Sequence, residues 1–426
     1  MSLPYFEING GNRLKGSVRI SGAKNAALPI MAACLLCDDE VILHDVPDVA
    51  DVQSLCDLLR KLGVEVERQA DKSLRLVVRD EMAYKAEYEI VRKMRASICV
   101  LGPLLAKRKK AQVSMPGGCA IGDRPVDLHV RAMEKMGADI DLVGGDIVAK
   151  AKKMRGCELF LGGPFGSTVL GTANAMMAAS LAEGVTVIEM AACEPEVTDL
   201  ADFLNSCGAS ITGHGTPRII IEGVKKLTGG EYRIIPDRIE TGTFMVAAAI
   251  TNGELKLENA RLDHLMAFVD RLTAVGVNVE KTDGGCVVSS ARRLEPIAVT
   301  TQPFPGYPTD LQAQLMTLLC LADGNSIVTE KIFPDRFMHV PELNRMGGRL
   351  RREGATVVVE GVRKLVGAPV MASDLRASAA LILAGLVARG KTTVNRIYHL
   401  ERGYEEMDEK LRAVGADITR HENGGV

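Results

Sequence analysis

One cysteine of this chain stands in a segment that differs from its other cysteine environments. Cys119 lies within PGGCAIGDR (residues 116–124), where three glycines and a proline surround a single thiol. Cys34 and Cys320 stand instead on predicted apolar helices, where cysteine behaves as a small hydrophobe. Arg124 follows five residues after Cys119, and a nearby guanidinium favours the thiolate. The segment therefore predicts a reactive thiol on a loop, and the alternative is an unreactive thiol in a turn.

A second group of residues occupies equivalent places at or just before the first residue of six apolar helices. A helix N-terminus carries partial positive charge, so a cation there is unfavourable unless an anion binds nearby. Three of the six are cations, which predicts a converging anion site; the alternative is solvated cations. The one carboxylate is either a helix cap or a base among cations, and the sequence does not separate these. The six residues are Lys24, Arg95, Thr172, Thr241, Asp310 and Arg376.

These residues are positioned by a unit that recurs six times. Each unit has an apolar helix, a β-branched strand, an amphipathic helix and alternating strands. Each also has a short recurring sequence motif whose glycine suits a left-handed helix C-cap. The repeat glycines are predicted to be Gly63, Gly137, Gly208, Gly276, Gly354 and Gly415, at spacings of 74, 71, 68, 78 and 61 residues. The apolar helices are predicted at 25–36, 96–106, 173–181, 242–250, 311–321 and 377–387, and amphipathic ones at 51–62, 263–275 and 402–414.

Six units divide naturally into two α/β domains of three units, with sheet outside and apolar helices inside. The first domain, 24–234, carries the Cys119 loop, and the second combines 1–23 with 235–426. We expect the active site in the cleft between them.

Composition excludes several other classes of function. The formal charge is −2 and tryptophan is absent, so neither a basic field nor stacking platforms indicate nucleic acid. The longest apolar run, Ala377–Ala388, has 12 residues, whereas a membrane-spanning helix needs about 20. Ten cysteines without framework spacing, and no export signal, predict a cytoplasmic protein. The composition leaves the oligomeric state open.

Two apparent motifs are dismissed. GLVARGKT (385–392) fits the pattern of a nucleotide phosphate loop, but that loop needs a strand before it and a helix after it. The predicted order here is the reverse. A cysteine hydrolase would need a partner base; His129 follows Cys119 by ten residues, but no hydrolase signature accompanies it.

Eight segments together resemble one enzyme family over essentially the whole chain, the UDP-N-acetylglucosamine enolpyruvyl transferases. The resemblance implies two inside-out α/β domains of three units each, with the opening strand up to about residue 23 joining the C-terminal domain. The segments are SGAKNAALP (21–29), MRAS (94–97), PGGCAIGDRPVDLH (116–129), PDRIETGT (236–243), YPTDLQAQ (307–314), RFMHVPEL (336–343), DLRASA (374–379) and RIYHLERGYE (396–405).

The resemblance implies transfer of the enolpyruvyl group of phosphoenolpyruvate to the 3-hydroxyl of UDP-N-acetylglucosamine, the first committed step of peptidoglycan synthesis, without metal or cofactor. It gives Cys119 the acid role, with capacity for a covalent adduct and inactivation by fosfomycin, and makes Asp310 the base. The cationic clamp for phosphoenolpyruvate would be Lys24, Arg124, Arg376 and Arg402.

The resemblance also implies a set of residues that hold the nucleotide sugar. Leu170 departs from the family pattern, because it replaces a glycine. Two other interpretations remain: a 3-phosphoshikimate enolpyruvyl transferase, and a non-catalytic scaffold that binds a nucleotide sugar. The implied binding residues are Asn25, Arg95, Arg124, Pro125, Val126, Asp127, Leu128, Gly166, Ser167, Thr168, Val169, Asp310 and Ile332.

Overall fold

The computed structural model describes residues 3–92, 94–115, 126–290 and 293–422. Contacts divide these residues into two compact bodies. One, here called the terminal domain, combines residues 3–21 with 236–422, and the other, the inserted domain, spans 22–115 and 126–235. Each has a hydrophobic core of its own, so each is a separate folding unit in the usual sense.

A four-stranded sheet recurs three times in the inserted domain with one pairing pattern. The first strand runs parallel to the second, and the remaining two neighbours are antiparallel. In spatial order the sheets are Gly230–Arg233, Val41–His44, Leu74–Val78, Val64–Arg68; Lys85–Ala86, Lys110–Ser114, Asp146–Lys150, Asp139–Val143; and Glu158–Phe160, Val185–Glu189, Arg218–Glu222, Ser210–Thr212.

The terminal domain repeats the same pattern three more times, so the six-fold repeat and the α/β class are confirmed. Strands from the start of the chain complete two of its sheets. In spatial order the sheets are Lys15–Arg19, Glu254–Glu258, Gly285–Ser290, Val277–Thr282; Ala298–Thr300, Asn325–Thr329, Thr356–Glu360, Arg349–Glu353; and Pro369–Met371, Lys391–Asn395, Tyr5–Asn9, Asp417–His421.

The apolar helices form the interior of each domain, as their composition predicts. Nearly every residue of these helices is buried, because alanine and other small side chains allow close packing on all sides. They are Lys24–Ala33, Leu101–Arg108, Val169–Ser180, Arg238–Ile250, Gln312–Leu319 and Leu375–Val387. Short 3-10 turns precede or follow three of them, at Cys34–Leu36, Arg95–Val100 and Thr309–Leu311.

Amphipathic helices cover the remaining faces of the two cores. Within the described residues, no helix is both long and apolar enough to span a bilayer. The amphipathic helices are Ala50–Lys61, Asp127–Lys135, Pro195–Ser206, Met266–Val275, Val340–Arg345 and Met407–Ala413, with a short helix at Tyr88–Val91, 3-10 turns at Leu262–His264 and Ile397–Arg402, and a small ribbon of Gly162–Gly163 with Gly166–Ser167.

Three predicted helix starts are wrong. Thr172 and Thr241 are the fourth residues of their helices, because Thr168 and Asp237 cap those helices earlier. Arg402 ends the 3-10 turn Ile397–Arg402 and does not begin the amphipathic helix.

The repeat glycine of the fifth unit is also misassigned. Gly354 has φ +60° but joins two strands, Arg349–Glu353 and Thr356–Glu360, and does not end a helix. Gly347 follows the helix Val340–Arg345 and has φ +86°, the left-handed conformation that favours glycine. With Gly347 in place, the last two spacings become 71 and 68 residues, so the repeat is more regular than predicted.

Candidate active site

Asp310 lies between two guanidinium groups. Arg336 Nη1 donates to Asp310 Oδ1 at 2.6 Å, and Arg376 Nη2 donates to Oδ2 at 2.8 Å. Burial raises the pKa of this carboxyl, but Arg376 and Arg336 outweigh burial and hold the pKa well below its usual range. The side chain is 26% exposed while both arginines are below 10%, so an ionised carboxylate meets solvent at one edge of a buried cationic pair.

Local structure explains how these groups meet. Asp310 stands in the 3-10 turn before the helix Gln312–Leu319, and Arg376 is the second residue of Leu375–Val387. Arg336 lies in the loop beyond Asn325–Thr329, where its carbonyl accepts from Gln312 Nε2 at 3.2 Å and its Nη1 also donates to Thr309 Oγ1 at 3.1 Å.

The capping interpretation of Asp310 is wrong. The aspartates that cap core helices of this domain are Asp237 and Asp374. Asp237 Oδ1 accepts from the backbone nitrogens of Ile239 and Glu240, and Asp374 Oδ1 accepts from those of Arg376 and Ala377. Within the described part of the chain, neither the 3-10 turn containing Asp310 nor the helix Gln312–Leu319 receives a side-chain cap. Asp310 is thus an ion-pair partner.

Lys24 of the inserted domain also has a carboxylate partner. Its Nζ lies 3.1 Å from Asp51 Oδ2, and the two residues are only 9% and 4% exposed. Lys24 is the first residue of its core helix, and Asp51 lies in the first turn of Ala50–Lys61. The anions beside Lys24 and Arg376 are therefore the protein's own carboxylates, Asp51 and Asp310.

Two segments assigned to the nucleotide sugar meet within the inserted domain. Val126 precedes the helix Asp127–Lys135, and the ribbon ending at Gly166–Ser167 leads into Val169–Ser180. A β-carbon at Gly163 of this ribbon would lie 3.5 Å from Leu128 Cδ1, so the ribbon packs against that leucine.

The turn into Val169–Ser180 depends on two features. Gly166 has φ +107°, which favours glycine, and Thr168 Oγ1 accepts from Gly171 N at 3.2 Å as the helix cap. Leu170 occupies the second helical position and packs partly against the domain core. A leucine is accommodated there because the position has ordinary helical geometry.

A buried amide connects this region to the core helices. Asn174 Nδ2 contacts His129 Nδ1 at 2.9 Å and donates to Ile98 O at 2.8 Å, and Asn174 Oδ1 accepts from Gly102 N at 2.8 Å. Burial, reinforced by the charge of Arg95, lowers the pKa of His129 to about 4. His129 is therefore neutral near pH 7 and anchors its helix.

The remaining predicted site residues are placed as follows. Asn25 follows Lys24 in the first core helix, and Arg95 begins the turn Arg95–Val100. Ile332 N donates to Glu330 Oε1 at 2.8 Å, and Arg402 is partly buried. Cys119, Arg124 and Pro125 lie outside the described residues.

Comparison with known proteins places this arrangement among enolpyruvyl transferases. The family model described as EPSP synthase (3-phosphoshikimate 1-carboxyvinyltransferase) matches residues 8–411. Two relatives named UDP-N-acetylglucosamine 1-carboxyvinyltransferase are 54% identical (Granulibacter bethesdensis; 97% of this chain, 99% of the relative) and 51% identical (Methylacidiphilum infernorum; 97% and 98%). The chain belongs to the UDP-N-acetylglucosamine 1-carboxyvinyltransferase family.

Solved structures agree with this family at the level of the fold. The enolpyruvyl transferase NikO from Streptomyces tendae superposes with a TM-score of 0.89 at 25% identity and covers all of both chains. EPSP synthase from Acinetobacter baumannii gives a TM-score of 0.75 at 18% identity, covering 98% of this chain and all of that one. The 1-carboxyvinyltransferase family thus shares its architecture with the wider group, and the implied enolpyruvyl transferase fold is confirmed.

Proposed function

We propose that this protein transfers the enolpyruvyl group of phosphoenolpyruvate to the 3-hydroxyl of UDP-N-acetylglucosamine and releases phosphate, in the cytoplasm, as the first committed step of peptidoglycan synthesis. Identity above 50% to relatives with that name, over nearly the whole chain, supports this acceptor over shikimate 3-phosphate. The observation that carries the chemistry is Asp310 held as an ionised carboxylate by Arg336 and Arg376.

The negative charge of the donor, phosphoenolpyruvate, complements the guanidinium groups of this site. Phosphoenolpyruvate has a phosphate and a carboxylate, and guanidinium groups bind both with charge-assisted hydrogen bonds. An anion that binds Arg376 must share that guanidinium with Asp310. The ion pair then weakens and the pKa of Asp310 rises, so the carboxylate becomes a better base only when the donor is present.

The reaction needs one proton delivered and one removed. The sugar 3-hydroxyl oxygen bonds to the C2 carbon of phosphoenolpyruvate, Asp310 takes the hydroxyl proton, and Cys119 gives a proton to the methylene carbon. Breaking the bond from C2 to the phosphate oxygen, with loss of a proton from the new methyl group, then restores the double bond and releases phosphate. Lys24, Arg124 and Arg402 complete the clamp on the donor.

The nucleotide sugar has a separate set of contacts. A helix N-terminus with free backbone N–H groups binds phosphate, and Val169–Ser180 begins directly after the ribbon residues Gly166–Ser167. Val126–Leu128 lie beside that ribbon, as the contact of Leu128 with Gly163 indicates. Asn25, Arg95 and Ile332 complete the proposed set.

Phosphate release distinguishes the possible acceptors. The purified protein is mixed with phosphoenolpyruvate and then with UDP-N-acetylglucosamine, with shikimate 3-phosphate, or with no acceptor. Release only with the nucleotide sugar is the expected result. Release with shikimate 3-phosphate would indicate a 3-phosphoshikimate enolpyruvyl transferase. No release with either acceptor would indicate a non-catalytic scaffold that binds a nucleotide sugar.

The thiol assignment has its own test. Cys119→Asp should keep turnover, since a carboxyl group can also deliver a proton, yet it should resist fosfomycin, whose epoxide needs a thiolate nucleophile. Cys193→Asp, at a partly buried cysteine of the inserted domain, serves as the control and should remain sensitive. Equal fosfomycin sensitivity of Cys119→Asp and the unmodified protein would remove Cys119 from this role.

A further inference from the structure

Tyr404 lies against the guanidinium of Arg376 in the terminal domain. The Arg376 Cζ atom is 5.5 Å from the centroid of the Tyr404 ring, and each residue is 3% exposed. A guanidinium over an aromatic face is attracted by the ring, and its planar shape is held by stacking. The ring therefore restricts where Arg376 can place the hydrogen bond that it donates to Asp310.

Hydrogen bonds fix the position of that ring in turn. Thr243 Oγ1 donates to Ile239 O at 2.8 Å, which uses its only proton. In the 2.8 Å contact between the two hydroxyls, Tyr404 is therefore the donor and Thr243 the acceptor. The phenol is held by a helix of the core, Arg238–Ile250.

Gln314 connects the same hydroxyls to the backbone at Asp310. Its Nε2 donates to Asp310 O at 2.9 Å and lies 3.2 Å from both Tyr404 Oη and Thr243 Oγ1. A carbonyl oxygen only accepts, so the amide nitrogen of Gln314 must be the atom that faces it. Among the residues that the structure describes, Gln314 Oε1 is then buried without a hydrogen-bond partner.

We propose that Tyr404 is a positioning residue that holds Arg376 against Asp310. Its ring supports the guanidinium, and its hydroxyl, through Thr243 and Gln314, ties that ring to the chain that carries the carboxylate. This role in catalysis rests on the proposed function, in which Asp310 is the base and Arg376 is one cation of the donor clamp. Tyr404 holds these two groups together.

Among the titratable groups around Tyr404 and Arg376, Asp310 is the one whose protonation should change when Tyr404 is replaced. Arg336 and Arg376 face Asp310, and Asp237 adds negative charge near Arg376. His339 is neutral near pH 7, because burial lowers its pKa to about 4 against the opposing charge of Asp374. Burial also raises the pKa of Tyr404, so the phenol keeps its proton.

The test compares Tyr404→Leu, which removes ring and hydroxyl, with Tyr404→Phe, which keeps the ring. Loosening Arg376 should raise the pKa of Asp310, so the acid limb of the pH profile of kcat/KM should move upward by about one pH unit in Tyr404→Leu. The shift should be smaller in Tyr404→Phe. The kcat at neutral pH should fall about tenfold in Tyr404→Leu, because the reacting groups are less well aligned.

Tyr232→Phe is the matched control. Tyr232 is a partly buried tyrosine whose hydroxyl also donates to a neighbouring residue, Asp199 Oδ1, at 2.7 Å, but it belongs to the inserted domain. This variant should lose some thermal stability and leave the acid limb in place. An unchanged limb in both Tyr404 variants would overturn the proposal and leave Tyr404 as a core residue.

A second measurement does not depend on turnover. The protein is labelled with ¹³C at aspartate side chains, the Asp310 signal is identified by its loss in Asp310→Asn, and its pKa is followed by NMR in each Tyr404 variant. A raised pKa in Tyr404→Leu and Tyr404→Phe supports the positioning role even if no acceptor gives phosphate release. An unchanged pKa overturns it even if the unmodified enzyme is active.

Discussion

Asp199 in the inserted domain is buried and Asp310 in the terminal domain is partly buried, and the pKa values of their carboxyl groups are shifted in opposite directions. Asp199 of the inserted domain is 3% exposed and accepts hydrogen bonds from Tyr232 Oη at 2.7 Å and Ile235 N at 3.3 Å, both neutral donors. Burial raises its pKa to about 6. Asp310 of the terminal domain instead accepts from two guanidiniums, and its pKa lies well below the usual range.

The difference shows what decides the charge of a carboxylate that packing removes wholly or partly from water. Neutral hydrogen bonds reduce the cost of burial without cancelling it, whereas an adjacent guanidinium favours the charged form directly. Asp199 therefore behaves as a structural acceptor that can take up a proton under mildly acidic conditions. Asp310 remains an anion, available to a reaction that needs a base.

The largest effect expected from this comparison is on turnover. Asp310→Ala should lower kcat by about 10²–10⁴-fold, the range typical for loss of a general base, while UDP-N-acetylglucosamine binding measured by calorimetry persists. Asp199→Ala is the paired variant and should keep kcat within about threefold, since Asp199 does not act on the substrate. Substantial remaining turnover in Asp310→Ala would exclude Asp310 as the base.

The next effect should come from removing one of the two guanidiniums. Arg336→Met should lower kcat/KM for phosphoenolpyruvate and destabilise the fold by about 1–3 kcal/mol, the range for loss of a charged hydrogen bond. Thermal unfolding and steady-state kinetics measure the two. Arg351→Met removes an exposed ion pair to Glu353 and should change neither by much; equal effects of the two variants would contradict the special role of Arg336.

The smallest effect on turnover is expected at Asp199, whose titration should appear instead in the pH dependence of stability. The folded-state pKa of Asp199, about 6, lies above its unfolded value of about 4. The folded state therefore binds more protons between these values, and the stability that Asp199 contributes is full below pH 4 and is lost as pH rises toward 6.

Asp199→Asn removes this titrating group and the pH-dependent stability that it contributes. The difference in unfolding free energy between the unmodified protein and the variant should therefore change by about 2–3 kcal/mol between pH 4 and 7, in favour of the variant at higher pH. Denaturant unfolding at several pH values measures this. A difference that stays constant with pH would mean that Asp199 does not titrate in this range.

The sequence predicted the six-fold repeat, the buried helices and the positions of Lys24, Asp310 and Arg376 near helix starts, because small-residue composition and periodicity are local signals. It did not predict Arg336 or Asp51 as ion-pair partners. These lie 26 and 27 residues from Asp310 and Lys24, on a loop and another helix, so only packing brings them together.

The errors have equally local causes. In the fifth unit Gly347 and Gly354 lie seven residues apart and both have positive φ. Only the elements beside them distinguish the helix end at Gly347 from the strand turn at Gly354. Asp310 resembled a cap because aspartate is common before helices, and the 3-10 turn that contains it, just before Gln312–Leu319, has no clear sequence signature.

The first two strands of the chain complete sheets with strands that come much later in the sequence. This pairing has a consequence for synthesis on the ribosome. Lys15–Arg19 pairs with Glu254–Glu258, and Tyr5–Asn9 lies between Lys391–Asn395 and Asp417–His421. At the usual elongation rate of about 5–20 residues per second, the nascent N-terminal segment waits roughly 10–50 seconds for its first partner and longer for the others. During that interval its unpaired edges are exposed to chaperones and to neighbouring nascent chains.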